Sequence, residues 1–453
     1  MTDGRTRVLL INYDFPPGLS GVRRIVKLAR YLPQFGYEPL VLCANPDGRM
    51  PLDYDALADV TAQGYPIIRT PSLDAYHGIE ILKELPRTAK RVLSALEQQP
   101  KNTPRPFPKD QYRAPGKLRR FIARAGQSMN NIFALPDDRV GWLAFAIPAA
   151  EHLVKSQSIR NIITSSYPHS THLIGLYLKR RYRVNWIADF RDGWSQNPYF
   201  ANYATPLHRR TSLQLEQKVA RDADVITTVS QPIAQHLETL TDPEKVFVIP
   251  NGFDNADFQD LAPLEFDRFT LAYTGSLFLQ RSPENFFAAV RGLLDTYPGL
   301  TENFQVIFRT KFKPEHEEAI QALNLKHVIQ NWGLGKYRDA LRLQASADVL
   351  LVIEGEGPNA EIMLTQKVFE YLAAGKPILA ISPPDTALAQ LVRRSGSGIV
   401  VSPENIFRIK ETLFELFLGR MRFKRDEAFI NTFDRRRQAE QFASIMRRMN
   451  APH

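Results

Sequence analysis

Residues 363–380 read MLTQKVFEYLAAGKPILA, a stretch in which a helix pattern runs directly into a strand pattern. The apolar positions of its first half recur at the spacing of one helix face: Leu364, Val368, Tyr371 and Leu372. Gly375 is typical of a helix end, and Pro377 opens a short apolar run. A helix followed closely by a buried strand is the repeating unit of parallel, doubly wound sheets.

The same alternation of short apolar runs and longer amphipathic segments extends over most of the chain, which predicts parallel sheets with helices on both faces. The turn at Asn251-Gly252, followed by a polar stretch, predicts a linker. We therefore expect one domain at residues 1–255, a second at 256–430, and a helix at 431–453 that returns toward the first. A proline-rich stretch at about 77–136 departs from the alternation and is expected to be an insertion on the first domain.

Composition is that of a globular protein, because 44% of the 453 residues are hydrophobic and 23% are charged. This excludes a disordered chain, a collagen-like fibre and a small disulfide-stapled scaffold. The single cysteine, Cys43, excludes an intrachain disulfide and a cysteine metal cluster. The apolar run at Val8–Ile11 is too short for a signal peptide, and no stretch approaches the roughly 20 apolar residues of a membrane span. We expect a cytoplasmic protein, soluble or peripheral to a membrane.

Positive charge is concentrated in one window. The formal net charge is +10, and eleven Lys and Arg residues lie between Arg87 and Arg124, opposed only by Glu97 and Asp110. A localised basic patch indicates an anionic partner. Residues 116–127 form a basic amphipathic pattern, which suits either a helix on an anionic membrane surface or a helix packed on its own domain with its arginines in water.

Six segments together resemble family-4-type retaining glycosyltransferases of the GT-B architecture, of the bacterial surface-glycan type. They are Lys367–Pro377 (KVFEYLAAGKP), Ile187–Trp194 (IADFRDGW), Asp224–Ser230 (DVITTVS), Val248–Asp254 (VIPNGFD), Tyr273–Ser276 (YTGS) and Asp14–Gly18 (DFPPG) with Gly21. They follow the family's order. The resemblance as a whole covers the chain from about residue 7 to residue 450, apart from the insertion. The resemblance implies two Rossmann-like α/β domains that face each other across a cleft, with the acceptor on the first and the nucleotide-sugar on the second.

For the donor side, the resemblance implies that Glu370 accepts hydrogen bonds from the nucleotide ribose hydroxyls. It implies that backbone amides near Leu364 and Thr365 hold the diphosphate, with positive charge from Lys367 and Arg281. The glycine-containing segments add Gly18, Gly21, Gly275 and Ser276 to the expected donor site. Many family members have a second glutamate eight positions before the first, where this chain has Ile362, so the contacts to the transferred sugar are left open.

Plainer interpretations of the same donor-side residues are also open. Lys367 and Glu370 lie three residues apart and can form an ion pair on the helix surface. Arg281 can be a solvated loop residue. Gly18 and Gly21 can mark a tight turn between strand and helix, since they do not complete a dinucleotide-binding glycine triplet.

On the acceptor side, we expect Arg191 and Asp192 to act in catalysis together with Arg281 and Lys367. His169, His172 and Asp189 are expected to contact the acceptor, because the segments that carry them follow predicted strands. Two alternatives remain at this point. The histidines can cap or pack, and Asp189, Arg191 and Asp192 can form a self-neutralising ion network.

The function expected from the resemblance is retaining, metal-independent transfer of a hexose-like sugar to a glycan or lipid-linked acceptor, in cell-surface polysaccharide or glycolipid synthesis. No cofactor or metal is expected beyond the nucleotide-diphosphate sugar substrate, and an anionic membrane surface is an expected partner. One alternative is a GT-B nucleotide-sugar epimerase. Another is a basic scaffold that binds membrane or nucleic acid. The sequence contains no nucleic-acid recognition motif, and we do not expect nucleic acid as a partner.

Overall fold

The computed structural model describes residues 5–18, 22–46, 52–73, 135–196, 203, 205–277, 281–355 and 364–451. The basic window at Arg87–Arg124 and the glycine at position 21 lie outside these residues. Within them, two parallel sheets follow each other along the chain.

The first sheet has seven strands among the described residues, in the order β3-β2-β1-β4-β5-β6-β7. Its strands are β1 Thr6–Ile11, β2 Tyr37–Ala44, β3 Ile67–Thr70, β4 Asn161–Ser165, β5 Asn185–Phe190, β6 Val225–Thr228 and β7 Val246–Val248. The helices between them are α1 Arg23–Tyr31, α2 Tyr54–Ala62, α3 Leu143–Ser156, α4 Ser170–Tyr182, α5 Pro206–Asp222 and α6 Gln231–Glu238. Each paired strand runs parallel to its neighbour.

The second sheet has six strands in the described part of the chain, ordered β10-β9-β8-β11-β12-β13, again all parallel. They are β8 Phe269–Thr274, β9 Phe304–Arg309, β10 Ile329–Asn331, β11 Val349–Ile353, β12 Ile378–Ile381 and β13 Gly398–Val401. Its helices are α7 Glu284–Thr296, α8 Pro314–Ala322, α9 Tyr337–Ser346, α10 Gln366–Ala374, α11 Ala387–Arg394, α12 Ile406–Phe417 and α13 Glu427–Ile430.

Both sheets reverse their strand order in the middle, between β1 and β4 and between β8 and β11. This is the doubly wound arrangement, in which ligands bind at the carboxyl edge of the strands near the reversal point. The central strands β4 and β11 are buried along their whole length, and Val8–Ile11 of β1 has no exposed surface, because helices cover both faces of each sheet. The predicted pair of doubly wound Rossmann-like domains is confirmed.

The last helix, α14 Arg435–Met449, leaves the second sheet and packs on the first. Its Ala439, Phe442 and Met446 lie in one apolar cluster with Val8 and Leu10 of β1. The chain thus passes between the two domains twice, once before β8 and once before α14.

Candidate functional site

A cavity of about 620 Å³ lies between the carboxyl edges of the two sheets, within the range of small-molecule sites. The first domain lines it with Arg23, Arg24, Tyr167, Arg191, Asp192 and Asn251. The second domain lines it with the ends of β8 and β9, the start of α9 and the first turn of α10, including Thr274, Gly275, Ser276, Arg309, Tyr337, Leu364, Thr365, Gln366, Lys367 and Glu370. We call this cavity the cleft.

Glu370 is a buried carboxylate at the cleft, on α10. Its Oε2 accepts a hydrogen bond of 3.2 Å from Nε2 of Gln344, and its Oε1 lies 3.9 Å from Nε of Arg23. Burial raises the pKa of the Glu370 carboxyl, while Arg23 and the Gln344 hydrogen bond act to lower it. The structure therefore contradicts the alternative of a surface ion pair between this residue and Lys367.

Lys367, one turn earlier on α10, is buried beside Tyr273 of β8. Its Nζ donates to the Tyr273 hydroxyl at 2.6 Å and lies 3.9 Å from the centre of the same ring. Burial, together with the nearby charge of Arg281, holds the pKa of Lys367 well below its usual range, against the opposite pull of Glu354 and Glu370. A ligand anion would restore the charged form, so this lysine suits a phosphate group.

Arg281 is also buried, and it forms a two-bond ion pair with Glu354 at the end of β11. The bonds are 3.0 Å from Nε to Oε1 and 3.1 Å from Nη2 to Oε2. A planar guanidinium matched to a carboxylate in this way is fixed in orientation as well as in charge. The alternative of a solvated loop residue is wrong for Arg281.

The start of α10 faces the cleft. Thr365 is the N-cap residue, its side chain makes no capping bond, and in the described part of the chain its buried Oγ1 has no hydrogen-bond partner. Leu364 and Thr365 line the cleft, as the donor-site expectation requires. Unsatisfied amides of the first turn and the positive end of the helix dipole favour an anion at this place.

The turn after β8 brings the main chain against Lys367. Gly275 has a φ of +97°, and a Cβ built there would lie 3.0 Å from Cε of Lys367. Ser276 follows it on the cleft wall, and its carbonyl accepts from the Tyr273 hydroxyl at 3.0 Å. Glycine is therefore needed both for the backbone conformation and for the close approach.

Across the cleft, Asp192 and Arg191 form an ion pair of 3.0 Å between Oδ2 and Nη2. The amide of Tyr167 also donates to Asp192 Oδ2, at 3.3 Å. Both side chains line the cleft opposite Lys367 and Glu370, so the structure brings these four predicted residues together.

Asp189 lies at the end of β5 but does not line the cleft. Its carboxylate is buried and accepts from Arg24 Nη2 at 2.8 Å, Ser165 Oγ at 2.7 Å and Thr227 Oγ1 at 2.7 Å. Burial alone would raise the pKa of Asp189, but the Arg24 guanidinium and the hydroxyl bonds bring it below its usual value. Asp189 is therefore paired with Arg24, and the network of Asp189 with Arg191 and Asp192 that was considered as an alternative is not what these contacts show.

His169 and His172 lie in an aromatic cluster next to this network, and neither lines the cleft. The His169 ring stacks on Trp194 at 4.8 Å, and the His172 ring stacks on Phe190 at 4.6 Å. His172 Nδ1 lies 2.8 Å from Thr164 Oγ1. Burial lowers the pKa of His172 to about 3, and burial with the charge of His172 lowers the pKa of His169 well below its usual value. Both histidines are therefore packed against aromatic side chains, which is one of the alternatives considered for them.

Gly18 borders a smaller cavity of about 90 Å³ between α1 and α2 and does not line the cleft. Its amide donates to the Phe15 carbonyl at 3.1 Å, which is the tight turn considered as an alternative. The other predicted glycine of this loop, at position 21, lies outside the described residues.

Four functional candidates were not predicted from the sequence: Glu354, Gln344, Arg23 and Tyr337. Arg23 reaches from α1 across the cleft and places its guanidinium carbon 3.0 Å from the centre of the Tyr337 ring. Glu354 follows an uninterrupted apolar strand, and a charged residue at that place is a signal that indicates a site. Gln344 carries no such signal, because it looks like any polar residue of an amphipathic helix.

Among the described residues, no three His, Cys, Asp or Glu side chains converge as metal ligands would. None of the helices in this part of the chain combines the length and hydropathy that a membrane span requires.

Comparison with protein families matches residues 21–257, more than half of the chain, to the model described as Glycosyltransferase Family 4. No curated protein matches the chain. Many solved structures share its fold. A glycosyltransferase from Rickettsia africae ESF-5 has 13% identity and a TM-score of 0.60, with 99% of this chain and 100% of that chain covered.

The HepE protein from Anabaena, solved with UDP and glucose, has 13% identity and a TM-score of 0.56, with 98% and 99% covered. The UDP-GlcNAc 2-epimerase from Methanocaldococcus jannaschii has 11% identity and a TM-score of 0.53, with 97% and 99% covered. At such identities the likeness shows the fold alone, and that fold is shared by a protein named as a glycosyltransferase and by one named as an epimerase.

Proposed function

The chain belongs to glycosyltransferase family 4, and from that membership we propose that it moves a sugar from a nucleotide-diphosphate sugar to an acceptor hydroxyl with retention of configuration. The acceptor proposed is a glycan or lipid-linked saccharide of a cell-surface polysaccharide or glycolipid. No metal or other cofactor enters the proposed reaction.

The observation that carries the proposal is the first turn of α10. One helix brings its N-terminus, the buried Lys367 and the buried Glu370 to the same cleft. These groups match the parts of a nucleotide-diphosphate sugar in order: amides and cation suit the diphosphate, and an acceptor-only carboxylate suits ribose hydroxyls. The HepE structure with UDP and glucose supports UDP-sugars as the first donors to test.

In the proposed reaction the bond between the sugar C1 and the diphosphate oxygen breaks, and the acceptor oxygen bonds to C1 on the same face. The acceptor proton passes to the departing diphosphate oxygen. Lys367 and Arg281 stabilise the negative charge that grows on the diphosphate, since fixed cations in a buried site act strongly on developing charge. On the other wall, Arg191 and Asp192 orient the acceptor.

The test is turnover of UDP-, GDP- and ADP-sugars by the purified protein, with and without a membrane extract as the source of acceptor, in excess EDTA. Transfer of labelled sugar to extractable glycan or glycolipid in EDTA is the expected result. Release of free or epimerised sugar without dependence on acceptor would favour the epimerase instead. Loss of turnover in EDTA, restored by manganese or magnesium, would overturn the metal-free mechanism.

We further propose a peripheral location on the inner face of the cell membrane, with the basic window at Arg87–Arg124 as the lipid-binding segment. What supports it is the sequence alone: eleven basic residues against two acidic ones, and an apolar face formed by Leu118, Phe121 and Ile122. A lipid-linked acceptor of the kind proposed would lie at the same membrane surface.

A further inference from the structure

Gln344 of α9 lies behind the cleft wall with no exposed surface. Its side-chain Nε2 donates two hydrogen bonds, of 2.9 Å to Thr274 Oγ1 and 3.2 Å to Glu370 Oε2. The amide therefore joins the end of β8 to the carboxylate of α10.

The oxygen of the same side-chain amide makes no comparable link. In the described part of the chain, Oε1 of Gln344 is buried and has no hydrogen-bond partner. A buried polar atom without a partner destabilises the fold, so stability alone would favour an apolar side chain at this position. What distinguishes glutamine from such a side chain here is the N–H group that it gives to Glu370.

That donated bond decides how the carboxylate is turned. With Oε2 occupied by Gln344, Oε1 remains on the side of Arg23, toward the cleft. Free rotation of the Glu370 carboxyl would leave neither oxygen in a fixed place. A carboxylate held at one oxygen can present the other at a constant position to a ligand hydroxyl.

We propose that Gln344 is a positioning residue, which holds the Glu370 carboxylate in the orientation that recognises the ribose hydroxyls of a nucleoside diphosphate. This inference rests on the proposed function, because it assumes that Glu370 faces the ribose. It adds a residue that touches no ligand and yet sets the preference for ribose over 2′-deoxyribose.

The test compares UDP, ADP and GDP with their 2′-deoxy counterparts by calorimetry, using the base that the unmodified protein binds best. Gln344→Met keeps the length of the side chain and removes the N–H group. We expect its affinity for the ribonucleotide to fall about tenfold, with the 2′-deoxynucleotide almost unchanged, since one hydrogen bond to a charged group is lost. Gln344→Glu places an acceptor where the donor was and should lose at least as much.

The chain offers a matched control. Gln305 is also buried, and its Nε2 donates at 2.9 Å to Oγ1 of Thr270, at the opposite end of the same strand β8. Gln305→Met should leave the ratio of the two affinities unchanged. It shows what the loss of a buried amide does to the fold alone.

The outcomes separate the inference from its premise. If the unmodified protein binds the two nucleotides equally, the assignment of Glu370 to ribose fails and the proposed function loses its main support. If it discriminates and Gln344→Met discriminates equally well, only the role of Gln344 is overturned. An equal loss for both nucleotides would show that Gln344 has a structural role and no part in ribose recognition. Should Gln344→Met fail to fold, Gln344→Glu, which preserves size, decides by the same ratio.

Discussion

At the scale of single residues, the cleft holds a lysine and a glutamate whose pKa values move toward each other. Burial lowers the pKa of Lys367 and raises the pKa of Glu370, so burial disfavours the charged form of both. A diphosphate beside Lys367 and ribose hydroxyls beside Glu370 would favour the charged forms again. The proposed donor would therefore offset the effect of burial on both residues, and perturbed pKa values of this kind are typical of functional sites.

Glu370→Gln should weaken binding of the donor nucleotide and leave the fold intact. The change removes an ionised acceptor of hydrogen bonds, and such bonds contribute on the order of 1.5–3 kcal/mol, which is roughly a ten- to hundredfold loss of affinity. Calorimetry with the nucleoside diphosphate measures it, and the melting temperature reports the fold. Glu415→Gln, on the surface of α12, is the control. Unchanged affinity in Glu370→Gln would remove this residue from the site.

Donor affinity should pass through a maximum with pH. Below the raised pKa of Glu370 its carboxyl is protonated and accepts ribose hydroxyls poorly, so affinity falls as pH falls. Above the lowered pKa of Lys367 its amine is neutral, so affinity falls again as pH rises. Lys367→Arg should move the alkaline limb to higher pH, because arginine stays charged, and should keep the acid limb. Dissociation constants measured across the pH range check both limbs, and an alkaline limb that stays in place would exclude Lys367.

At the scale of elements, the site depends on how closely the end of β8 approaches the first turn of α10. Three residues form this contact: Tyr273, Gly275 and Lys367. At Gly275, any residue with a Cβ would strain the backbone and would crowd Lys367. The contact joins the first turn of α10, which lines the cleft, to β8 in the middle of the second sheet. Its precision therefore depends on the main chain and not on a surface loop.

Gly275→Ala should destabilise the protein and weaken donor binding together. The positive φ disfavours any residue with a Cβ by about 1–3 kcal/mol, and the new methyl group displaces Lys367. Thermal unfolding and nucleotide calorimetry measure the two effects. Gly299→Ala is the matched control, because a Cβ there meets nothing within 4 Å. Wild-type affinity in Gly275→Ala would show that Lys367 does not depend on this approach.

The strands and helices of this chain could be predicted because each is encoded locally. Val8–Ile11 and Val349–Ile353 read as buried parallel strands from their apolar runs, and α10 reads as a helix from its spacing and its terminal glycine. The donor side of the site follows from the same stretch, since Lys367 and Glu370 share one helix face. The resemblance to the family then indicates which part of the donor each of these residues is expected to contact.

What the sequence did not reveal are pairings between distant segments. Arg24 and Asp189 are far apart in the chain, and so are Arg281 and Glu354. Nothing in the sequence around one member of a pair indicates its partner. The sequence left the histidines open between acceptor contact and packing for a related reason: a polar residue after a strand faces the cleft or turns inward depending on the aromatic residues that the fold brings to it. Only tertiary packing decides between these outcomes.

At the scale of the whole molecule, the chain crosses between the two domains in two segments. These segments are hydrogen-bonded to each other and to α10. The amide of Phe253 donates to the Phe433 carbonyl at 3.1 Å, and the amide of Arg435 donates to the Phe253 carbonyl at 2.8 Å. Gln366, at the start of α10, donates to the Gly252 carbonyl at 2.7 Å and accepts from Arg435 at 3.0 Å. Movement of one domain against the other would therefore act directly on the first turn of α10, which lines the cleft.

The proposed membrane partner is tested on the molecule as a whole. Changing Arg119, Arg120 and Arg124 to Glu should abolish binding to anionic vesicles, because each basic residue near the surface contributes roughly 1 kcal/mol. Binding of the donor nucleotide should survive. Flotation with anionic and neutral vesicles measures it, and binding of the unmodified protein should weaken steeply with salt. If the unmodified protein ignores anionic vesicles at low salt, the window binds another partner, most simply a charged acceptor.

The position of α14 has a consequence for the order in which the chain folds. Its apolar face completes the core around β1, although β1 is made before the whole of the second sheet and α14 is made after it. The first domain must therefore wait, with part of its core uncovered, until the second has been synthesised. Folding from the N-terminus onward, the usual course for domains, cannot finish in that order here. A chain that stops before α14 would lose Ala439, Phe442 and Met446 from the apolar cluster around Val8 and Leu10, so premature termination late in translation should produce aggregated protein and not a shortened enzyme.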